Sequence, residues 1–109
     1  SGIAPYSVTK SALSGWVRAA ALDLRKDRIG VTGISVGAVD SPKLDEGLSR
    51  FPSAEQARAK LIESIPAGRI VTPAELAELC LFLLQPAAAH FTGANLAFDG
   101  GVSAVLASE

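Results

Sequence analysis

The chain has 109 residues, 49% of them hydrophobic and 19% charged, which is the composition of one modest globular domain and not of a disordered segment. Ten Lys and Arg stand against eleven Asp and Glu, for a formal charge of −1, and their spread along the sequence leaves no basic patch for nucleic acid. No apolar run is long enough to span a bilayer, no signal-peptide pattern opens the chain, and the single Cys80 permits no internal disulfide, which fits a reducing cytoplasm.

Pro5 suits the first turn of a helix, where its fixed φ helps and its missing N–H costs nothing. Over residues 6–28, Val8, Ala12, Trp16, Ala19, Ala20 and Leu24 recur at three- and four-residue steps, which predicts a long helix. Arg25, Lys26 and Arg28 fall in its last turn, where the helix dipole favours cations, and Gly30 reads as the stop. So few residues precede this helix that a cut chain explains the start at least as well as a complete one.

Residues 31–36 are short, apolar and β-branched, the pattern of a buried strand that Gly37 ends. Pro42, Gly47 and Pro52 make residues 38–52 loop-like, with room for a helical turn around 44–48. Ser53 with Gln56 three residues on is a capping box, opening a helix to about Ser64 with Ala57, Leu61 and Ile65 on one side. Thr72 and Glu75 make a second box around Pro73, and the helix it opens carries the stripe Leu76, Leu79, Cys80 and Leu83. Gln85-Pro86 ends that helix, residues 90–93 turn, and residues 94–98 read as a second buried strand closed by Asp99-Gly100-Gly101. The tail beyond is small and expected to be mobile. Strands separated by helices predict a parallel α/β pair joined by a crossover. Two strands make a poor sheet, and the first helix would show an apolar face with too little to cover it. More sheet is therefore expected, in missing sequence or in a partner chain.

Tyr6 and Lys10 are four residues apart, which puts both on one helix face. An ammonium beside a phenol stabilises the phenolate, so that the phenol can give or take a proton at a substrate oxygen. Taken alone the pair is equally an ordinary exposed pair on a helix. The surrounding sequence is more specific. Residues 6–13, Tyr-Ser-Val-Thr-Lys-Ser-Ala-Leu, resemble the Tyr-x-x-x-Lys helix of the short-chain dehydrogenase/reductase family. Residues 30–42 resemble that family's strand and following Pro-Gly-x-(Val/Ile)-x-Thr segment, with Val36 in place of the usual Pro and Ser41 in place of the usual Thr. Residues 68–77 resemble its Gly-Arg-x-x-x-Pro-Glu-Glu helix entry, and residues 92–101 its closing strand ending in Asp-Gly-Gly.

The resemblance implies an α/β fold, the C-terminal part of a Rossmann-type doubly wound parallel sheet, with residues 1–109 as the catalytic part of a single domain. It implies reversible hydride transfer between NAD or NADP and a small-molecule carbonyl or alcohol. Tyr6 would be the general acid/base. Lys10 would assist it and hydrogen-bond the nicotinamide ribose. Gly37 and Val39 would offer backbone to the nicotinamide end, and the Ser41 hydroxyl would bond the carboxamide or phosphate. The family's catalytic Ser, its helix Asn and the Gly-rich turn that holds the pyrophosphate would all lie upstream of Tyr6, so the piece alone is expected to be inactive. The first helix would pack on its counterpart in a neighbouring subunit and the last strand would help form a second interface, giving a homo-oligomer, dimer or tetramer. Leu44, Leu48, Phe51 and Ile62 would line an apolar substrate pocket or pack a lid onto the body.

The remaining chemical side chains have plainer readings. Cys80 is expected to be a core thiol, Trp16 a core or subunit-interface residue, His90 a surface or capping residue with no metal role, and Asp99 structural. Two other functions stay open: a non-catalytic oligomerisation or interaction remnant of the same fold, and an isomerase or dehydratase that uses the same tyrosine.

Overall fold

The computed structural model describes residues 3–106. Seven elements run in the order α1 (Ile3–Asp23), β1 (Gly33–Val36), α2 (Pro42–Leu48), α3 (Ala54–Glu63), α4 (Pro73–Leu83), β2 (Asn95–Phe98) and α5 (Val102–Leu106), with 3₁₀ turns at Leu24–Asp27 and Pro86–Phe91. The chain gathers into two compact units, one of residues up to 34 together with 81–96, the other of residues 35–80 together with those from 97 on. The strands pair as a two-stranded sheet. Gly33 donates to the Ala94 carbonyl at 2.9 Å and Gly37 to the Phe98 carbonyl at 3.1 Å. Both strands advance together between those two bonds, so the pair is parallel as expected. No helix among the described residues is long and apolar enough to cross a membrane.

In the first unit, the second half of α1 supplies the buried residues Val17, Ala20 and Ala21. Small residues let the backbone approach this helix. A Cβ on Gly93, whose φ is +81°, would sit 3.6 Å from Ala21, and one on Gly33 would sit 3.2 Å from Val17. Asn95 donates to the Ser14 carbonyl at 3.4 Å, and Gly93 donates to the Val31 carbonyl at 2.7 Å. Val31 in turn donates to the Thr92 hydroxyl at 3.0 Å. The first half of α1 has no such cover. The expected apolar face is therefore only partly buried: Val8 is 67% exposed and Trp16 59%, so Trp16 is not a core residue among the described residues. The helix also stops earlier than Gly30 suggests. It tightens to 3₁₀ at Leu24 and closes on Arg28 in the left-handed conformation at φ 57°.

In the second unit, Leu48, Ile65 and Ile70 are buried. The loop expected over 38–52 contains a complete short helix, α2. Ser41 is its N-cap, accepting from the Leu44 N–H at 3.4 Å, and Pro42 occupies the first turn. Ser53 caps α3 in the same way, accepting from the Gln56 N–H at 3.2 Å. The box that opens α4 is reciprocal: Glu75 donates its N–H to Thr72 Oγ1 at 3.2 Å, and its carboxylate accepts from the Thr72 N–H at 2.9 Å. The tail expected to be mobile instead forms α5 over Val102–Leu106; residues 107–109 lie outside the described part. Asp99 organises that turn, accepting from the Gly101 N–H at 2.9 Å, the Ser103 N–H at 3.0 Å and the Ser103 hydroxyl.

These carboxylates make a pH prediction. The Thr72 backbone and the Arg69 guanidinium hold Glu75 below the ordinary carboxylate range, and the Ser103 hydroxyl with the Gly101 and Ser103 amides does the same for Asp99. A carboxylate whose folded value is lowered stabilises the fold above its unfolded value, and that contribution is lost as pH falls through the folded value. The urea midpoint is therefore expected to drop between about pH 5 and pH 3. Glu75→Gln with Asp99→Asn should flatten that drop; an unchanged slope in the double variant would refute the assignment.

Candidate functional site

Tyr6 and Lys10 lie on the first turns of α1. The Lys10 ammonium is 5.4 Å from the centroid of the Tyr6 ring, within cation–π range, and Tyr6 is 60% exposed. The phenol is therefore turned outward and not into packed hydrocarbon, and the cation stays against it. Thr9 donates its hydroxyl to the Tyr6 carbonyl at 2.8 Å, a bond within the helix that leaves the Tyr6 and Lys10 side chains uninvolved.

Gly37, Val39 and Ser41 follow β1 in the second unit. Val39 forms an isolated parallel bridge with Val71. Asp40 donates to the Val71 carbonyl at 2.8 Å, and Val71 donates to the Ala38 carbonyl at 3.0 Å. In this arrangement Val71 uses both its groups on the bridge, while the N–H and C=O of Val39 face the other way. Neither finds a partner among the described residues. A half-buried segment thus keeps a donor and an acceptor side by side and unpaired among the described residues, the chemical complement of a group that offers the converse pair. Gly37 is fixed by packing: a Cβ there would stand 2.9 Å from the Asp99 Cα. Ser41 Oγ already accepts from Leu44, and its own proton remains to be donated.

Beyond this segment α2 and α3 form a groove of about 570 Å³. Leu48, Phe51 and Leu61 line it, with Lys60 on its wall. Of the four residues expected to face a pocket, Leu48 and Phe51 do so; Leu44 and Ile62 are half-buried elsewhere. Arg58 was not singled out by the sequence pattern. From α3 its Nη2 reaches Asp40 at 2.8 Å and its Nη1 reaches Asp45 at 3.4 Å. Asp40, as hydrogen-bond acceptor and as charge, raises the Arg58 pKa above the ordinary guanidinium value.

A family model described as enoyl-(acyl carrier protein) reductase matches residues 1–103. The chain belongs to the short-chain dehydrogenase/reductase family. It is 34% identical to the short-chain dehydrogenase anuF of Penicillium roqueforti over 101 residues, covering 93% of this chain and 36% of that protein. A short-chain dehydrogenase family protein from Francisella tularensis has the same fold, with a TM-score of 0.85 and 31% identity over 91% of this chain and 43% of that one. An actinorhodin polyketide ketoreductase variant crystallised with NADPH matches with a TM-score of 0.80 and 34% identity, covering 91% of this chain and 40% of its own. The chain thus spans between a third and a half of the length of these relatives, and the α/β reading with a Rossmann-type parallel sheet stands.

Two expectations about individual residues of this family member need correction or placement. Cys80 is exposed and unpaired, not a core thiol: its neighbours on the stripe, Leu76, Leu79 and Leu83, are half-buried, and α4 leaves the Cys80 side open. His90 is exposed in the 3₁₀ turn Pro86–Phe91. That turn is held against α4 by Phe91, edge-on to Phe82 at 6.2 Å between ring centres.

Proposed function

We propose that this chain carries the proton-transfer pair and the nicotinamide-facing segment of an NAD- or NADP-dependent oxidoreductase that interconverts a carbonyl and an alcohol. Residues 1–109 are read as the C-terminal catalytic part of one Rossmann-type domain. The observation that carries the proposal is the exposed Tyr6 phenol with the Lys10 ammonium against its ring. Tyr6 gives its proton to the substrate oxygen in reduction and takes one back in oxidation. Lys10 stabilises the charge left on the phenolate oxygen as that proton leaves. Its ammonium keeps three donors, enough to hold a ribose hydroxyl as well.

The residues present fit the nicotinamide end of a dinucleotide. The unpaired N–H and C=O of Val39 complement a primary carboxamide, which offers one acceptor and two donors. Ser41 has a hydroxyl proton to donate beside them, and Gly37 keeps the chain close to β2 ahead of them. When bound, the nicotinamide supplies the hydride that no side chain can. Family membership supports the same reading, as does the NADPH in the ketoreductase structure. The substrate is then a small carbonyl or alcohol. The exposed Val8, Leu13 and Trp16 on α1 support a homo-oligomer formed through that helix.

The test uses the gene product that carries this sequence. With NADH or NADPH and a panel of aldehydes and ketones, consumption of the reduced cofactor is expected only when a carbonyl is present. Saturating cofactor should raise its melting temperature by several degrees. The 109-residue chain by itself should be silent in the turnover assay. A gene product that neither consumes nor is stabilised by either cofactor would remove the proposal.

A further inference from the structure

We infer that Arg58 is a positioning residue: it clasps α3 to the segment 39–41 and so holds the Val39 N–H and C=O in register for the nicotinamide carboxamide. The inference rests on the function proposed above.

The segment is held from two sides. On one side the Asp40 N–H donates to the Val71 carbonyl at 2.8 Å. On the other the Asp40 carboxylate receives Arg58 Nη2, also at 2.8 Å, from 18 residues further along the chain. Asp40 lies between Val39, whose backbone N–H and C=O are unpaired among the described residues, and Ser41, which caps α2. Fixing its side chain therefore limits rotation of the peptide units on both sides of it. The same guanidinium extends Nη1 to Asp45 in the first turn of α2. One ordered cation thus serves two carboxylates on separate elements.

An isolated exposed ion pair contributes little, because ordering two long side chains cancels much of the attraction. Arg58 differs in two respects. Its side chain is only 35% exposed, against 76% for Arg50 in the surface pair with Glu46. The second carboxylate also adds attraction without a second cation to immobilise. Asp40 and Asp45 would moreover repel each other without it. The two nitrogens of a planar fork reach the two acceptors in preset directions, which a flexible lysine point charge does not fix. Arg58 bonds Asp40 and Asp45, so its effect reaches the reaction through Val39.

The experiment compares Arg58→Gln and Arg58→Lys with wild type in the whole gene product. In Arg58→Gln, amide hydrogen exchange at Asp40 and Leu44 should quicken about fivefold, the worth of one good ion pair. The Val31 and Gly33 amides should be unchanged. The KM for the dinucleotide should rise about fivefold to tenfold, with kcat within about twofold. Arg58→Lys should recover part of both effects, and high salt should narrow the gap between wild type and Arg58→Gln. Unchanged exchange at Asp40 and Leu44 would overturn the clasp. Faster exchange with an unchanged KM in an active enzyme would overturn its positioning role. Failure of the function itself has a different signature: wild type that binds no dinucleotide.

Discussion

Tyr6→Phe, made in the gene product that carries this sequence, is expected to lower kcat by about 10²- to 10⁴-fold, the range over which a positioned acid or base contributes. The KM for the dinucleotide should hardly move, because the lost hydroxyl acts on the substrate oxygen. Stability should hardly move either. Tyr6 is 60% exposed, its hydroxyl has no hydrogen-bond partner among the described residues, and exposed substitutions of this kind stay within about 0.5 kcal/mol. That separation makes the test clean: a loss of turnover without a loss of melting temperature reports chemistry. Lys10→Met keeps the aliphatic stem and removes the charge, so it too should slow turnover strongly while leaving the helix intact. Cofactor consumption by Tyr6→Phe within tenfold of wild type would leave the proposed chemistry without its proton donor.

The elements of this chain were legible where a local rule decides them. Ser53 and Thr72 each open a helix where a capping hydroxyl precedes an apolar repeat, and both do cap. β1 followed from a β-branched run that Gly37 ends, and β2 from a short, mostly apolar segment between Gly93 and Asp99-Gly100-Gly101. The misreadings share a cause, which is that one residue can carry two local meanings. Pro42 has the chemistry of a breaker, yet after a Ser it is the first helical residue, and Ser41-Pro42 opens α2. Gly30 has the chemistry of a stop for α1, but Arg28 adopts the left-handed turn first. Cys80 sits at the right step for the stripe of α4, yet periodicity locates a face without saying whether anything covers it. The site divides in the same way. Tyr6 and Lys10 are visible because four-residue spacing is a helix property. Arg58 was not visible because its partners lie 13 and 18 residues away, and only the fold brings them within reach.

Gly37→Ala is expected to destabilise the protein by about 1–3 kcal/mol or more, the cost of forcing atoms into a packed site that cannot give. The methyl would stand 2.9 Å from the Asp99 Cα, 3.1 Å from its Cβ and 3.3 Å from its carbonyl oxygen. Two of those three are backbone atoms, so no rotamer change relieves the contact. The alternatives are to part the strands where Gly37 donates to Phe98, or to shift Asp99, whose carboxylate organises the entry to α5. Either movement reaches Val39 two residues on, so cofactor affinity should fall together with stability. Gly15→Ala supplies the opposite sign for the same chemical change. It lies in the interior of α1, where a Cβ meets nothing within 4 Å, and there the methyl should stabilise by about 0.5–1 kcal/mol through helix propensity. Urea denaturation of the two variants side by side decides the matter. A lowered midpoint for Gly37→Ala with a raised one for Gly15→Ala fits a glycine kept at 37 for close approach to β2. A midpoint for Gly37→Ala at or above wild type would mean that the strand ends are not packed as closely as the fold requires.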